Sequence, residues 1–244
     1  MITINLKDNL KEKVILLFGG ASGIGKATVE LLSGEGAFIY CFDKNNVNFY
    51  DSRIRFREVD ITNYDSIKEV IYDVFQEHGR IDSVVNTVGI SGNSTTFDQI
   101  TLADWQNVIS VNLTGTFIVC QQVAKFMKNQ NSGAIVNVSS VAGRSVSLVG
   151  GLHYTASKAG IIGLTRHLAR ELAPKNIRVN CLCPGVTRTP LVSKYNMDEV
   201  VKKIPLNRIA EPEEQAKVIK FLISDDSSYI TGACIDSNGG ILMI

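Results

Sequence analysis

Seven short runs of apolar and β-branched residues recur along the chain, separated by longer segments, and that alternation leaves few folds open. The runs are Val14–Phe18, Ala37–Phe42, Ile54–Val59, Ser83–Asn86, Ala134–Val138, Ile177–Leu182 and Ala233–Asp236. Most of the intervals carry a helical period. In 63–78, Ile67, Val70, Ile71, Val74 and Phe75 make one apolar stripe, with Lys68, Glu69 and Asp73 opposite. Asn63 or Thr62 can cap its start and Gly79 stops it. Further helices are expected near 23–33, 101–129, 154–173 and 211–224. Strands of four to seven residues that are apolar on both faces, alternating with helices, imply a mostly parallel seven-stranded sheet covered on both sides. No linker or repeat interrupts the pattern, so 1–244 is expected to be one domain.

Composition removes several functions. Lys plus Arg total 25 and Asp plus Glu 24, a net charge of +1. A protein built around nucleic acid or an anionic membrane needs a basic field that this balance does not supply. With 45% hydrophobic residues the chain is not a disordered one. Asp8 and Glu12 interrupt the N-terminal stretch where a secretory leader needs an apolar run. The longest strongly apolar run, Val14–Phe18, is far below the roughly 20 residues that span a bilayer. Cys41, Cys120, Cys181, Cys183 and Cys234 are odd in number with no CxxC spacing, and read as buried free thiols. His78, His153 and His167 do not pair at ligand spacing, so no metal site is expected. The cytoplasm is the expected compartment.

Directly after the first run comes Gly19-Gly20-Ala21-Ser22-Gly23-Ile24-Gly25, opening a helix. Glycines there let the backbone turn tightly and approach a pyrophosphate, while the N–H groups of the helix start supply donors. A glycine cluster alone is a weak signal, since a tight turn needs no ligand. Its context adds weight, because the second strand ends at Asp43, eighteen residues after Gly25. A carboxylate at that place accepts from both adenosine ribose hydroxyls and repels a 2′-phosphate. Only Lys44 is at hand to compensate such a phosphate. NAD is therefore expected over NADP.

Tyr154 and Lys158 stand four apart at the head of the 154–173 helix, on one face. The pair alone is uninformative, and its company gives it meaning. Ser139-Ser140 ends a strand 14 residues upstream of the tyrosine, and Asn112 lies in the long middle helix. Asn86-Thr87-Val88-Gly89 and Pro184-Gly185 follow the fourth and sixth strands, at the carboxyl edge where open α/β sheets bind ligands.

With these motifs in this order, the chain resembles the short-chain dehydrogenase/reductases of the 250-residue, single-domain kind over nearly its whole length. The matching elements are the GGASGIG turn, Asp43, Val59-Asp60-Ile61, NTVG, Asn112, Ser140, Tyr154 with Lys158, Pro184-Gly185 and Asn238-Gly239-Gly240. Phe18 stands where threonine is usual, and NTVG where NNAG is usual. The interval from serine to tyrosine is one residue longer than usual, which leaves Ser139 and Ser140 as alternatives. The short stretch from Asp43 to Asp60 implies a loop in place of a helix.

The resemblance implies a doubly wound Rossmann fold and reversible hydride transfer between nicotinamide and a secondary alcohol or ketone. Tyr154 would be the general acid/base, its phenol lowered from about 10 by Lys158 and a cationic nicotinamide. Ser140 would bond the substrate oxygen, Lys158 the nicotinamide ribose, and Asn112 a water leading out from Lys158. By the same resemblance Gly19, Ser22, Gly23, Ile24 and Gly25 face the pyrophosphate, Asp43 the ribose, and Asp60 and Ile61 the adenine. Asn86 and Gly89 would line mid-groove, with Tyr154, Lys158, Pro184, Gly185, Thr187 and Thr189 completing the nicotinamide side. For Thr187 and Thr189 ordinary loop capping is an equal reading. A homotetramer formed through helices 101–129 and 154–173 is also implied, with a short lid at about 187–205.

Substrate identity stays open. Loops 90–98, 143–153 and 187–205 are not diagnostic, and Arg144, Arg188 and Lys194 are as readily solvated as ligand-binding. His153 reads as a packing residue. The C-terminal part is similar to 3-oxoacyl-thioester reductases, which usually take NADPH. The short stretch after Asp43 is similar to NAD-dependent dihydrodiol dehydrogenases. A non-catalytic NAD(H)-sensing protein is the remaining alternative, disfavoured because all four polar catalytic positions persist.

Overall fold

In β1 (Val14–Phe18), successive side chains point to opposite faces, and every residue is buried. Val14, Leu16 and Phe18 enter one apolar cluster, Ile15 and Leu17 another. A strand with two dry faces needs a helix layer on each, and the chain supplies both. The computed structural model describes residues 10–92, 96–147, 150–193 and 196–244. Asp8, Lys194 and parts of loops 90–98 and 143–153 lie outside them.

The strands β1, β2 (Phe38–Asp43), β3 (Ile54–Glu58), β4 (Ser83–Asn86), β5 (Gly133–Val138), β6 (Ile177–Pro184) and β7 (Cys234–Ser237) form one sheet, in order β3-β2-β1-β4-β5-β6-β7. Every neighbouring pair is parallel. The expected three-layer, doubly wound α/β architecture is present. The helices are α1 (Gly23–Gly34), α2 (Tyr64–His78), α3 (Leu102–Ile109), α4 (Gly115–Gln130), α5 (Leu152–Leu172), α6 (Asp198–Val201) and α7 (Pro212–Ile223). Residues of α1 and α7 pack with Ile15 and Leu17, while α2, α4 and the end of α5 cover the opposite face. Asn63 caps α2 by accepting from Ser66 N at 3.1 Å, and Gly79 stops it at φ +66°.

Two expectations change. β3 is not apolar on both faces: Ile54 and Phe56 alternate with Arg55 and Arg57, as suits the outer strand of the sheet. Arg57 pairs with Asp73 at 2.6 Å and Glu69 at 2.7 Å, and Arg55 pairs with Glu77. Charges along an outer strand discourage pairing with a second chain. The helix expected over 101–129 is interrupted by a π turn at Ser110–Thr114, which contains Asn112. Such turns often mark functional positions. The loop expected after Asp43 is found. No helix among the described residues is long and apolar enough to cross a membrane.

Candidate active site

All-parallel winding brings the carboxyl ends of all seven strands to one edge. A cleft of about 760 Å³ opens there, lined by the turn after β1, the ends of β2 and β5, the segments after β3, β4 and β6, and the head of α5. Its size suits a nucleotide-sized ligand. Gly19 turns the chain at φ +93°, and its N–H donates to Phe42 O at 2.7 Å. Thr87 Oγ lies 2.8 Å from Phe18 O and 3.0 Å from Gly19 O, so its hydroxyl ties the turn to β4. A Cβ on Gly25 would stand 2.0 Å from Gly19 O, which is why the helix can start so close to the strand only with glycine. Asp43 Oδ2 accepts from Ala21 N at 3.0 Å and Oδ1 from Asn45 N at 2.9 Å. The carboxylate is thereby fixed at the cleft wall. Asp60 is held below the usual carboxylate range by hydrogen bonds from Thr62 and by the nearby Lys44. A turn with glycine at 19, 20, 23 and 25 at the helix start, with a fixed carboxylate across it, fits a dinucleotide.

At the other end of the cleft, Tyr154 occupies the first turn of α5, and Lys158 lies one turn on; both are buried. Lys158 Nζ donates to Val138 O at 2.9 Å and stands 5.7 Å from the Tyr154 ring centre. Burial pushes the ammonium down to about 8. Since this lies below the ordinary lysine value of about 10.4, the buried charge costs stability below pH about 8. The cost is relieved as pH rises toward the ordinary value. Burial pushes the Tyr154 phenol up, and its hydrogen bond with Ser140 offsets only part of that. Lys158, which the sequence reading expects to lower the phenol together with a cationic nicotinamide, donates to Val138 O at 2.9 Å. A phenol raised in this way is a neutral proton donor at pH 7. Ser140 Oγ also accepts from Ala142 N at 3.1 Å and lines the cleft. Ser139 instead donates to Lys158 O at 2.7 Å and is buried. Of the two serines, Ser140 meets the tyrosine.

A family model described as enoyl-(acyl carrier protein) reductase matches residues 19–242. The 3-oxoacyl-[acyl-carrier-protein] reductase FabG of Thermotoga maritima is 43% identical over 96% of this chain and 99% of its own length. The chain belongs to the short-chain dehydrogenase/reductase superfamily. It is an oxidoreductase that takes a nicotinamide cofactor. The acetoacetyl-CoA reductase of an Acinetobacter species is 37% identical over 96% of this chain and 99% of its own length. A solved structure titled ElxO with NADP bound superposes with a TM-score of 0.89 at 28% identity, covering 94% of this chain and 98% of that one.

As a short-chain dehydrogenase/reductase, the chain brings most of its expected site residues to one cleft. Gly19, Ser22, Gly23, Ile24, Gly25, Asp43, Asp60, Ile61, Gly89, Ser140, Tyr154, Lys158, Pro184, Gly185, Thr187 and Thr189 all line it. Asn86 does not. Its amide donates to Asn137 Oδ1 at 2.7 Å, because its side chain falls on the face covered by α4, against Cys120. Asn112, fully buried in the π turn, grips the loop after β4: Oδ1 accepts from Ile90 N at 2.8 Å and Nδ2 donates to Ile90 O at 3.0 Å. Its amide also donates to Ser157 Oγ at 3.0 Å. Gly89 lies between this loop and Lys158, where an added Cβ would come within 3.1 Å of Nζ. Arg188 pairs with Glu211 at 3.0 Å and Arg144 with Asp236 at 3.3 Å, so neither basic side chain lines the cleft. His153 is buried, accepting from Tyr154 N at 3.0 Å. Sequence reading missed Thr87 and Ser157. Both stood inside quoted motifs, but their roles are long-range hydrogen bonds with no periodic signal.

Proposed function

We propose that this enzyme reduces the 3-oxo group of an acyl thioester to the 3-hydroxy group, with NADH as reductant. The observation that carries the substrate class is the near full-length similarity, at 43% identity, to a protein named 3-oxoacyl-[acyl-carrier-protein] reductase. The acetoacetyl-CoA reductase among the relatives points to the same functional group. A broader secondary alcohol or ketone substrate is the second reading, and it draws on the Asp43 pattern rather than on relatives.

The residues divide the work. Ser140 donates a hydrogen bond to the ketone oxygen as negative charge develops on it. Tyr154, a neutral phenol in its buried setting, transfers its proton to that oxygen. The nicotinamide, when bound, supplies the hydride to the carbonyl carbon. Lys158 bonds the ribose beside it and keeps a positive charge near the phenol as it loses its proton. Asn112 fixes the loop from Gly89 to Ile90 that closes over Lys158, and holds a water leading from that amine. Asp43 takes the adenosine ribose hydroxyls, and Thr187 and Thr189 cover the carboxamide side from the lid at 187–205. The whole chain works as one domain in a cytoplasmic homotetramer built on the helical segments 101–129 and 154–173.

For the reductase, consumption of reduced cofactor on adding a 3-oxoacyl thioester is the test. Tight NADH binding with no turnover on any thioester or ketone would favour a cofactor-sensing protein instead. NADH is favoured because a 2′-phosphate would meet the Asp43 carboxylate, although the similar ElxO structure holds NADP. Replacing Asp43 by Ser is expected to move the NADH:NADPH ratio of kcat/KM about tenfold or more toward NADPH, that is about 1.4 kcal/mol. An unchanged ratio would remove Asp43 from cofactor choice.

A further inference from the structure

Three of the five cysteines meet on one face of the sheet, outside the cleft. Cys181 and Cys183 project from β6 against Ile161 and Ile162 of α5, and Cys234 of β7 joins them. Cys181 and Cys234 are direct partners in the parallel register. Neighbouring strands run about 4.8 Å apart, inside the roughly 4.4–6.8 Å range of Cα separations that a disulfide spans. Cys181 and Cys183 share one face of the sheet and one packed cluster with Cys234. Cys181 and Cys183 are fully buried, whereas Cys234 is partly exposed.

The surroundings of Cys234 are cationic. Arg144 and Arg166 both act on its sulfur, and Arg144 also donates to Cys234 O at 3.4 Å. The Asp236 carboxylate beside the group is paired with Arg144 at 3.3 Å. Hydrogen bonds from the neighbouring thiols and the two guanidiniums pull the Cys234 thiol down from its ordinary value. A partly exposed cysteine among cations, with a second cysteine in bonding position, is the arrangement that reacts with peroxide. Among the described residues no group of His, Cys, Asp and Glu is arranged to hold a metal ion.

We propose that Cys234 and Cys181 are a peroxide-responsive thiol pair that closes to a reversible disulfide between β7 and β6. Cys234 thiolate attacks one oxygen of hydrogen peroxide, the O–O bond breaks, and Cys234 becomes a sulfenic acid. The released hydroxide takes a proton and leaves as water. The Cys181 sulfur then attacks the Cys234 sulfur, loses its proton, and the S–OH bond breaks to give a second water. Two thiols are oxidised by two electrons and one peroxide is reduced to two waters. The bridge lies behind α5, the helix that carries Tyr154 and Lys158.

Peptide mapping of the native enzyme after hydrogen peroxide treatment, with free thiols alkylated under denaturing conditions, tests this. A Cys181–Cys234 cross-linked peptide is expected, with Cys41, Cys120 and Cys183 still alkylatable, and dithiothreitol is expected to restore all five thiols. Without peroxide, iodoacetamide is expected to modify Cys234 at least about tenfold faster than any other cysteine at neutral pH. In C181S the cross-link disappears and Cys234 proceeds to sulfinic acid, while C183A keeps the cross-link. Five free thiols after peroxide, a bridge through Cys183, or Cys234 alkylating no faster than the rest would each overturn the proposal. The wild-type mapping decides the matter even where a variant fails to fold.

Discussion

Tyr154→Phe is expected to lower kcat by at least about a hundredfold, the lower end of what a positioned acid–base group contributes, and to leave NADH affinity unchanged. The substitution removes one hydroxyl and keeps the ring. That ring is buried at the head of α5, and the helix is also held there by the Tyr154 N–H donating to His153. The hydroxyl itself meets Ser140, which keeps the Ala142 N–H as a partner after the change. Packing is therefore preserved while the proton donor is lost. Steady-state kinetics paired with NADH fluorescence titration checks this. A variant within a few-fold of wild type would assign the proton to another group.

Gly25→Val is expected to weaken cofactor binding by about ten- to a hundredfold. The added Cβ would stand 2.0 Å from Gly19 O and 2.6 Å from Thr87 Oγ. Backbone cannot rotate away as a side chain can, so α1 must move off the turn. Overpacking of this kind costs about 1–3 kcal/mol, and here the cost falls on the turn proposed to hold the pyrophosphate. A lowered melting temperature should accompany the loss. A variant that melts like wild type and binds NADH as tightly would show that the turn does not hold the cofactor.

The parts of the fold legible in the sequence are those set by local pattern. The strand at Val14–Phe18 and the helix ending at Gly79 follow from burial on two faces and from a left-handed stop, both written in consecutive residues. The π turn at Ser110–Thr114 was not legible, because its residues keep a near-helical period and only the grip of Asn112 on Ile90 and Ser157 reveals the extra residue. Asn86 shows the opposite failure. Its place at a strand end put it in the cleft, yet the pleat turns its side chain toward Asn137 on the far face. The choice between Ser139 and Ser140 needed three dimensions as well, since it rests on which hydroxyl reaches Tyr154 and which reaches Lys158 O. The burial that raises the Tyr154 phenol is likewise invisible in a Tyr-x-x-x-Lys spacing.

The cleft is proposed to reduce a 3-oxoacyl thioester. The most direct test is kcat/KM for a 3-oxoacyl thioester set against simple ketones of matched chain length, each with saturating NADH. The thioester is expected to be favoured by at least about a hundredfold, or about 2.7 kcal/mol of additional transition-state binding. Equal values for thioester and simple ketone, or turnover confined to the ketones, would contradict it.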